Sequence, residues 1–151
     1  MIISYDKKYK EDFIRLNINW IEKLFEIEQI DIDSFNAIDD KIKNGANIFF
    51  NIENDAVIAC AMIEPFIGDD IWEISKVAAI NLGSKRHASY PLIEKCISYA
   101  KEHGAKEIKI ITNSKCEAAI HVYEKFGFKK FYDESLLKFF KRGDYFMKKE
   151  L

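Results

Sequence analysis

The first third of the chain places apolar side chains at helical spacing. Between residues 9 and 25 the apolar positions broadly follow one stripe, which predicts a helix. Residues 31–43 predict a second, shorter helix, with Asp33 or Ser34 as its N-cap and Asn44 followed by Gly45 as its stop. The chain is therefore expected to begin with a helical segment.

After residue 46 the period of the pattern changes to that of strands. Asn54 and Asp55 separate two β-like runs and predict a hairpin turn. A later helix is expected to end at Gly104 and the next one at Gly127. The predicted strands are residues 47–53, 56–65, 71–79, 106–112, 128–132 and 144–149, and the later helices are residues 89–103 and 115–126. This order, with two β-α-β crossovers in the second half, predicts an α+β fold with a mixed sheet and helices on its faces.

Composition narrows the class of protein. The 151 residues are 48% hydrophobic and 32% charged, which predicts one globular domain spanning residues 1–151. A net charge of −2 gives no basic excess for nucleic acid. No apolar run approaches the roughly 20 residues that a membrane span needs, and the N-terminus lacks the apolar core of a signal peptide. We therefore expect neither a nucleic acid nor a membrane as partner.

The cysteines point to a reducing compartment. Cys60, Cys96 and Cys116 are odd in number, show no C-x-x-C spacing and lie among apolar residues. This is typical of small core residues rather than of a disulfide or metal set. A cytoplasmic protein is expected.

A strand that ends in Thr112-Asn113 is followed by a helix with a recognisable pattern. The helix contains Ala119, Tyr123 and then Gly127-Phe128. This stretch resembles the C-terminal signature of the GNAT N-acetyltransferase superfamily, and the resemblance extends over nearly the whole chain. The strand Glu73-Ile74-Ser75-Lys76 is similar to that of a subgroup found alone or fused to winged-helix regulators.

The resemblance implies a mostly antiparallel central sheet flanked by helices, with a splayed central strand pair. It also implies acetyl-CoA as co-substrate. The backbone of Val77, Ala78 and Ala79 would line the pantetheine arm, since pantetheine amides can pair with a strand edge. The other interpretation of these three residues is a buried strand interior. By the same resemblance, Asn113 would hydrogen-bond the cofactor and Ala119 would let its helix lie against it.

The superfamily's pyrophosphate loop, Gln/Arg-x-x-Gly-x-Gly/Ala, has an altered counterpart in this chain. The matching residues are Ser84, Lys85, Arg86, His87, Ala88 and Ser89. Glycine suits the small positions because phosphate oxygens approach the backbone closely there. Ser89 departs from this slightly and could cap the next helix, whereas His87 departs from it strongly.

Three consequences of His87 are open. Either its side chain turns outward and leaves the backbone amide for phosphate, or its imidazole adds positive charge beside Lys85 and Arg86, or it fills the anion site. A solvated basic loop is the other interpretation of residues 85–87.

Two residues are candidates for acid–base chemistry. By resemblance, Tyr123 is the general acid that protonates the leaving thiolate; alternatively it is a helix aromatic with its hydroxyl at the surface. Glu73 is the first candidate for the base, and Glu28 and Glu64 are weaker ones. Glu73 could instead pair with Lys76 or a neighbouring strand.

The expected function is transfer of the acetyl group of acetyl-CoA to a primary amine, by direct attack on the thioester. The acceptor would be a small molecule or a peptide. A non-catalytic GNAT-like binding module, with weakened coenzyme A affinity, is the alternative. Trp20 and Phe25 suggest a partly aromatic acceptor pocket, and Asp31 could contact a cationic amine or lie on a solvated face. A homodimer through the C-terminal strands would be in keeping with the superfamily.

Overall fold

The computed structural model describes residues 1–80 and 87–151. Within them the chain forms a sheet of seven strands, with helices on both faces. The strands are β1 (Ile2–Ile3), β2 (Asn47–Glu53), β3 (Ala56–Ile67), β4 (Ile71–Ala79), β5 (Glu107–Thr112), β6 (Lys129–Phe131) and β7 (Tyr145–Glu150). The helices are α1 (Lys10–Leu24), α2 (Gln29–Asn36), α3 (Ile38–Lys43), α4 (Tyr90–Glu102), α5 (Glu117–Lys125) and α6 (Glu134–Phe139), with a 3-10 turn at Lys7–Tyr9.

The sheet has the order β1-β2-β3-β4-β5-β7-β6. Every neighbouring pair is antiparallel except β4 and β5, which are parallel and are connected through α4. This confirms the prediction of a mixed, mostly antiparallel sheet flanked by helices. The predicted strands 128–132 and 144–149 form β6 and β7, which pair with each other, and β7 lies between β6 and β5. Among the described residues, no helix combines the length and the apolar character needed to cross a bilayer.

Alternation along the strands divides the core between the two faces of the sheet. In β4, Trp72 and Ile74 join the core beneath α4 and α5, together with Leu92 and Ile120. Ala78 joins the opposite core, which α1, α2 and α3 cover. Since successive strand residues point to opposite faces, Glu73 lies on the α1–α3 face.

The parallel pair opens soon after it begins. Ile71, Trp72 and Glu73 pair with Glu107, Ile108 and Lys109, and β4 makes no further pair with β5. On its other side β4 remains paired with β3, but the two residues between Ser75 and Ala78 oppose the single residue between Cys60 and Met62. This is a bulge, and Lys76 within it has φ 53°. The splayed central pair expected from the sequence is therefore present.

The hairpin turn is confirmed, since Asn54 and Asp55 both have positive φ. The single helix predicted over residues 31–43 is wrong. The chain forms α2 and α3 there, with Ala37 between them. The hydroxyl of Ser34 donates to the carbonyl of Asp31 at 2.8 Å, and such back-bonding weakens and bends helices.

The predicted N-cap of this helix is also wrong. Glu28 caps α2, in a reciprocal capping box with Asp31. Helix α6 was not predicted either, although Asp133 provides a recognisable cap by accepting the amide of Ser135.

Candidate active site

The site is built around the gap that opens between β4 and β5. The amide of Ile80 donates to the carbonyl of Ile58 on β3 at 2.9 Å. Because backbone groups alternate between the two sides of a strand, those of Val77 and Ala79 point away from β3, toward the gap. Their edge of β4 is one to which an extended ligand with amide groups could add as a strand.

Glu73 lies at the last paired position before the gap. Its exposed fraction is 8%, and its partner in the antiparallel register is Glu64 on β3. Burial is the main cause that raises the pKa of Glu73 to about 7, and the negative charge of Glu64 adds to it. Lys76 and Lys41 act in the opposite direction. The carboxyl is therefore poised to exchange a proton near neutral pH.

Lys76 extends from the bulge over the ring of Phe35 on α2, with its ammonium 5.6 Å from the ring centroid. Burial, and then the charge of Lys41, lower the pKa of this ammonium, whereas Glu73 attracts its charge. No ion pair joins Lys76 to Glu73 among the described residues. Glu73 and Lys76 therefore attract each other at longer range, but they do not form an ion pair.

Tyr123 occupies the other face of the sheet. Its side chain is 6% exposed within the core beneath α4 and α5, with Phe128 in edge contact at 6.3 Å. Burial is the main cause that raises its pKa above the usual value, with smaller contributions from Cys116 and Cys96. The interpretation of Tyr123 as a surface aromatic is wrong, and its phenol stays protonated at physiological pH.

Glu73 and Tyr123 are thus separated by the sheet itself. Glu73 belongs to the α1–α3 face and Tyr123 to the α4–α5 face. The strand pairing between them ends where the gap begins. A single substrate can be reached from both faces only if it lies in that gap. Ala119 is half-buried against the Tyr123 core, so the helix presents a small side chain there.

The predicted pyrophosphate loop is described only in part. Ser84, Lys85 and Arg86 lie outside the described residues. His87 is exposed, and its imidazole contacts Tyr90 in a tilted arrangement with 4.6 Å between ring centroids. An exposed side chain agrees both with an outward turn and with added positive charge, so the consequence of His87 for phosphate binding stays a prediction.

The end of the loop leads into α4. Ala88 is buried, and its carbonyl accepts the side-chain amide of Asn51 at 3.0 Å. Ser89 occupies the N-cap position of α4, but its side chain makes no capping hydrogen bond. The first turn of α4 nevertheless has no free amide: the amide of Tyr90 donates to the carbonyl of His87 at 3.1 Å, Pro91 has none, and the amide of Leu92 donates to the carbonyl of Ser89 at 3.0 Å.

A cavity of about 450 Å³ lies between α1 and the end of β4. Leu16, Trp20 and Ile80 contribute its apolar lining, and Asn19, Glu22 and Lys23 its polar rim. The ring of Trp20 lies 6.4 Å from that of Phe25, but Phe25 does not line this cavity, so the aromatic acceptor pocket stays a prediction.

Comparison with known proteins identifies the family. The profile described as the acetyltransferase (GNAT) family matches residues 14–128, which contain the gap, Glu73 and Tyr123. This chain belongs to the GNAT acetyltransferase family. Among proteins of curated function, none matches it.

Solved structures share the GNAT fold along their whole length. A GNAT-family acetyltransferase of Staphylococcus aureus Mu50 superposes with a TM-score of 0.87 at 19% identity, covering 100% of this chain and 98% of its own. An acetyltransferase of Streptococcus agalactiae 2603 gives 0.84 at 21% identity, with the same coverage. YncA of Salmonella typhimurium, solved with its cofactor acetyl-CoA, gives 0.75 at 16% identity and covers 100% of this chain and 93% of its own.

Asn113 has a different environment from the one that the GNAT resemblance implies. Its side-chain amide donates to the carbonyl of Arg142 at 2.6 Å, and its oxygen accepts the amide of Lys115 at 2.9 Å. The same loop packs so closely that a Cβ on Gly143 would overlap Ile111. In this structure Asn113 therefore fixes the loop before β7 to the end of β5.

Arg142 is the site residue that the sequence analysis missed. Its guanidinium donates two hydrogen bonds to the carboxylate of Asp31 and one, at 3.2 Å, to the carbonyl of Glu26. Although burial opposes it, this pairing holds the pKa of Asp31 below its usual value. Asp31 is thus neither solvated nor free for an amine. No local pattern could reveal a pair that is 111 residues apart.

Proposed function

We propose that the protein is an N-acetyltransferase that transfers the acetyl group of acetyl-CoA to a primary amine. The observation that carries this proposal is the gap that opens directly after Glu73, with the backbone of Val77 and Ala79 turned toward it. The buried carboxyl of Glu73 on one face of the sheet and the buried phenol of Tyr123 on the other would accept a proton from the amine and donate one to the leaving thiolate.

The chain's own groups fit the co-substrate in the gap. The edge of Val77, Ala78 and Ala79 offers backbone groups to pantetheine amides, and Ala119 keeps the opposite wall small. The segment from Ser84 to Ser89 would hold the pyrophosphate at the start of α4. The exposed position of His87 supports this, since it leaves the backbone approachable at that residue. Asn113 would contribute by fixing the loop around Arg142.

Glu73 would accept a proton from the acceptor ammonium, which frees the nitrogen lone pair. The nitrogen would then attack the thioester carbon, forming the C–N bond, while a strand amide near Val77 stabilises the charge on the carbonyl oxygen. As the C–S bond breaks, Tyr123 would donate its phenol proton to the thiolate, and the phenolate would take the second proton of the attacking nitrogen, which leaves a neutral amide. The raised pKa of each group supports its role, because Glu73 can hold a proton near pH 7 and Tyr123 does not lose one prematurely.

The acceptor class is a small molecule or peptide that presents a primary amine on the α1–α3 side, where Glu73 lies. The cavity beside Trp20 and Glu22 supports an acceptor with an apolar body.

Two measurements test the proposal. Coenzyme A at millimolar concentration should raise the melting temperature, because a ligand that binds only the native state stabilises it. Release of free thiol from acetyl-CoA should then depend on the added amine across a panel of amines. Absence of a thermal shift would favour a GNAT-like module that binds no cofactor, and a shift without amine-dependent release would contradict the transferase.

A further inference from the structure

Glu64 and Glu73 form a pair of carboxyls directly opposed across β3 and β4. Both lie on the α1–α3 face; the side chain of Glu64 is 15% exposed, and Glu73 is 8% exposed. Like charges at opposed positions of a sheet repel each other, and a single proton on one of the two carboxyls relieves that repulsion.

Lys41 makes the pair unequal. Its ammonium, from α3, lies 3.3 Å from each oxygen of the Glu64 carboxylate. No ion pair or hydrogen bond of this kind reaches the side chain of Glu73 from the described residues. The negative charge is therefore held at Glu64, and Glu73 is the member of the pair with a place for a proton.

The other charged groups around Glu73 do not change this assignment of the negative charge to Glu64 and the proton to Glu73. Lys76, on the same strand, attracts the Glu73 charge but lies over Phe35. Lys109 on β5 is in register with Glu73, yet its ammonium lies 3.7 Å from Glu107. On α2, Asp31 is neutralised by Arg142.

We propose that Glu64 and Lys41 are positioning residues for proton transfer at Glu73: Lys41 holds the negative charge on Glu64, and that charge makes Glu73 the carboxyl that receives the proton of the acceptor amine. The inference rests on the proposed function, because it assigns a purpose to the proton on Glu73. It adds two residues, on β3 and α3, that need not touch either substrate.

The direct test follows the side-chain carboxyl carbon of Glu73 by NMR during a pH titration without acetyl-CoA. In the wild type, Glu73 should titrate near pH 7. Glu64→Gln should move the Glu73 midpoint down by about one pH unit, because the neighbouring negative charge is gone. Lys41→Met should move the Glu73 midpoint up, because no ammonium then offsets the negative charge that Glu64 places beside Glu73.

Lys41→Arg keeps the charge and should restore the wild-type titration, whereas Lys43→Met, on an exposed position of the same helix, should leave it unchanged. An unchanged Glu73 midpoint in Glu64→Gln or in Lys41→Met overturns the inference. If Lys41→Met does not fold, Lys41→Gln serves in its place.

The second readout is the pH profile of amine-dependent thiol release. Its acid limb should move to lower pH by about one unit in Glu64→Gln, in step with the NMR midpoint. A limb that stays in place while the midpoint moves contradicts a role in transfer. Failure of this inference can be distinguished from failure of the proposed function. The NMR titration tests the division of charge and needs no turnover, whereas loss of amine-dependent thiol release in the wild type refutes the transferase alone.

Discussion

Glu73 and Tyr123 are both buried beside the same gap, but their surroundings differ in kind. Glu73 faces other charges, from Glu64, Lys41 and Lys76. Tyr123 faces Phe128 and lies near the buried thiols of Cys96 and Cys116. The proton on Glu73 can therefore be adjusted by its neighbours, whereas that on Tyr123 is fixed by burial. A base that must cycle near neutral pH and an acid that must stay protonated need these two environments.

The largest expected effect comes from removing the carboxyl of Glu73, whose protonation depends on its charged neighbours. Glu73→Gln should lower kcat/KM for the amine about 10³-fold at pH 8 and abolish the acid limb near pH 7, because no carboxyl remains to accept the proton. Steady-state thiol release from pH 5.5 to 9 measures both. Glu124→Gln, at an exposed position of α5, is the matched control and should behave as wild type. A retained acid limb in Glu73→Gln would show that another group is the base.

The same carboxyl should make stability depend on pH. Its folded pKa of about 7 lies above the ordinary value of 4.5, so the folded state holds the proton more tightly than the unfolded chain. This contribution is complete below pH 4.5 and is lost as the pH rises through 7, a change of about 3 kcal/mol.

Urea unfolding at pH 5 and pH 8 checks it, with Glu73→Gln as the reference that lacks the titration. The free energy of unfolding of the wild type should fall relative to that variant between the two pH values. Equal changes in the two proteins would mean that Glu73 ionises normally.

Tyr123→Phe tests the role of the phenol proton, which burial keeps on Tyr123. Turnover should fall about 100-fold, because the leaving thiolate loses its acid. The free energy of unfolding should change by less than about 1 kcal/mol, since the hydroxyl makes no hydrogen bond among the described residues and the ring stays packed. Tyr132→Phe, at a position 73% exposed, is the control for both measurements. Equal turnover in Tyr123→Phe and wild type would remove Tyr123 from the mechanism.

The two environments were not equally predictable from the sequence. Periodicity predicted most elements within one or two residues, including β2 and β4, because each is a short, mostly apolar run with a core on both faces and a turn at its end. The burial of Tyr123 contradicts one of its two interpretations, and helical spacing could not separate them. The charges around Glu73 come from β3, β4 and α3, so only the sheet register brings Glu64 to it. The cap at Glu28 was visible locally and was overlooked, whereas the contact between Arg142 and Asp31 was not visible at all.

Arg142→Ala tests whether the Glu73 face depends on that long-range pair. The change leaves the Asp31 carboxylate buried without its partner, but it keeps the backbone carbonyl of residue 142 to which Asn113 donates. We expect a loss of about 2 kcal/mol in the free energy of unfolding, at the lower end for a broken buried pair because the Arg142 side chain is 27% exposed. Lys141→Ala, whose side chain is 86% exposed, should cost far less. Urea unfolding at pH 7 measures both variants, and the loss in Arg142→Ala should shrink at a pH low enough to protonate Asp31. Similar losses in the two variants would show that the pair is a surface contact, and that α2 is held over Glu73 by its apolar packing alone.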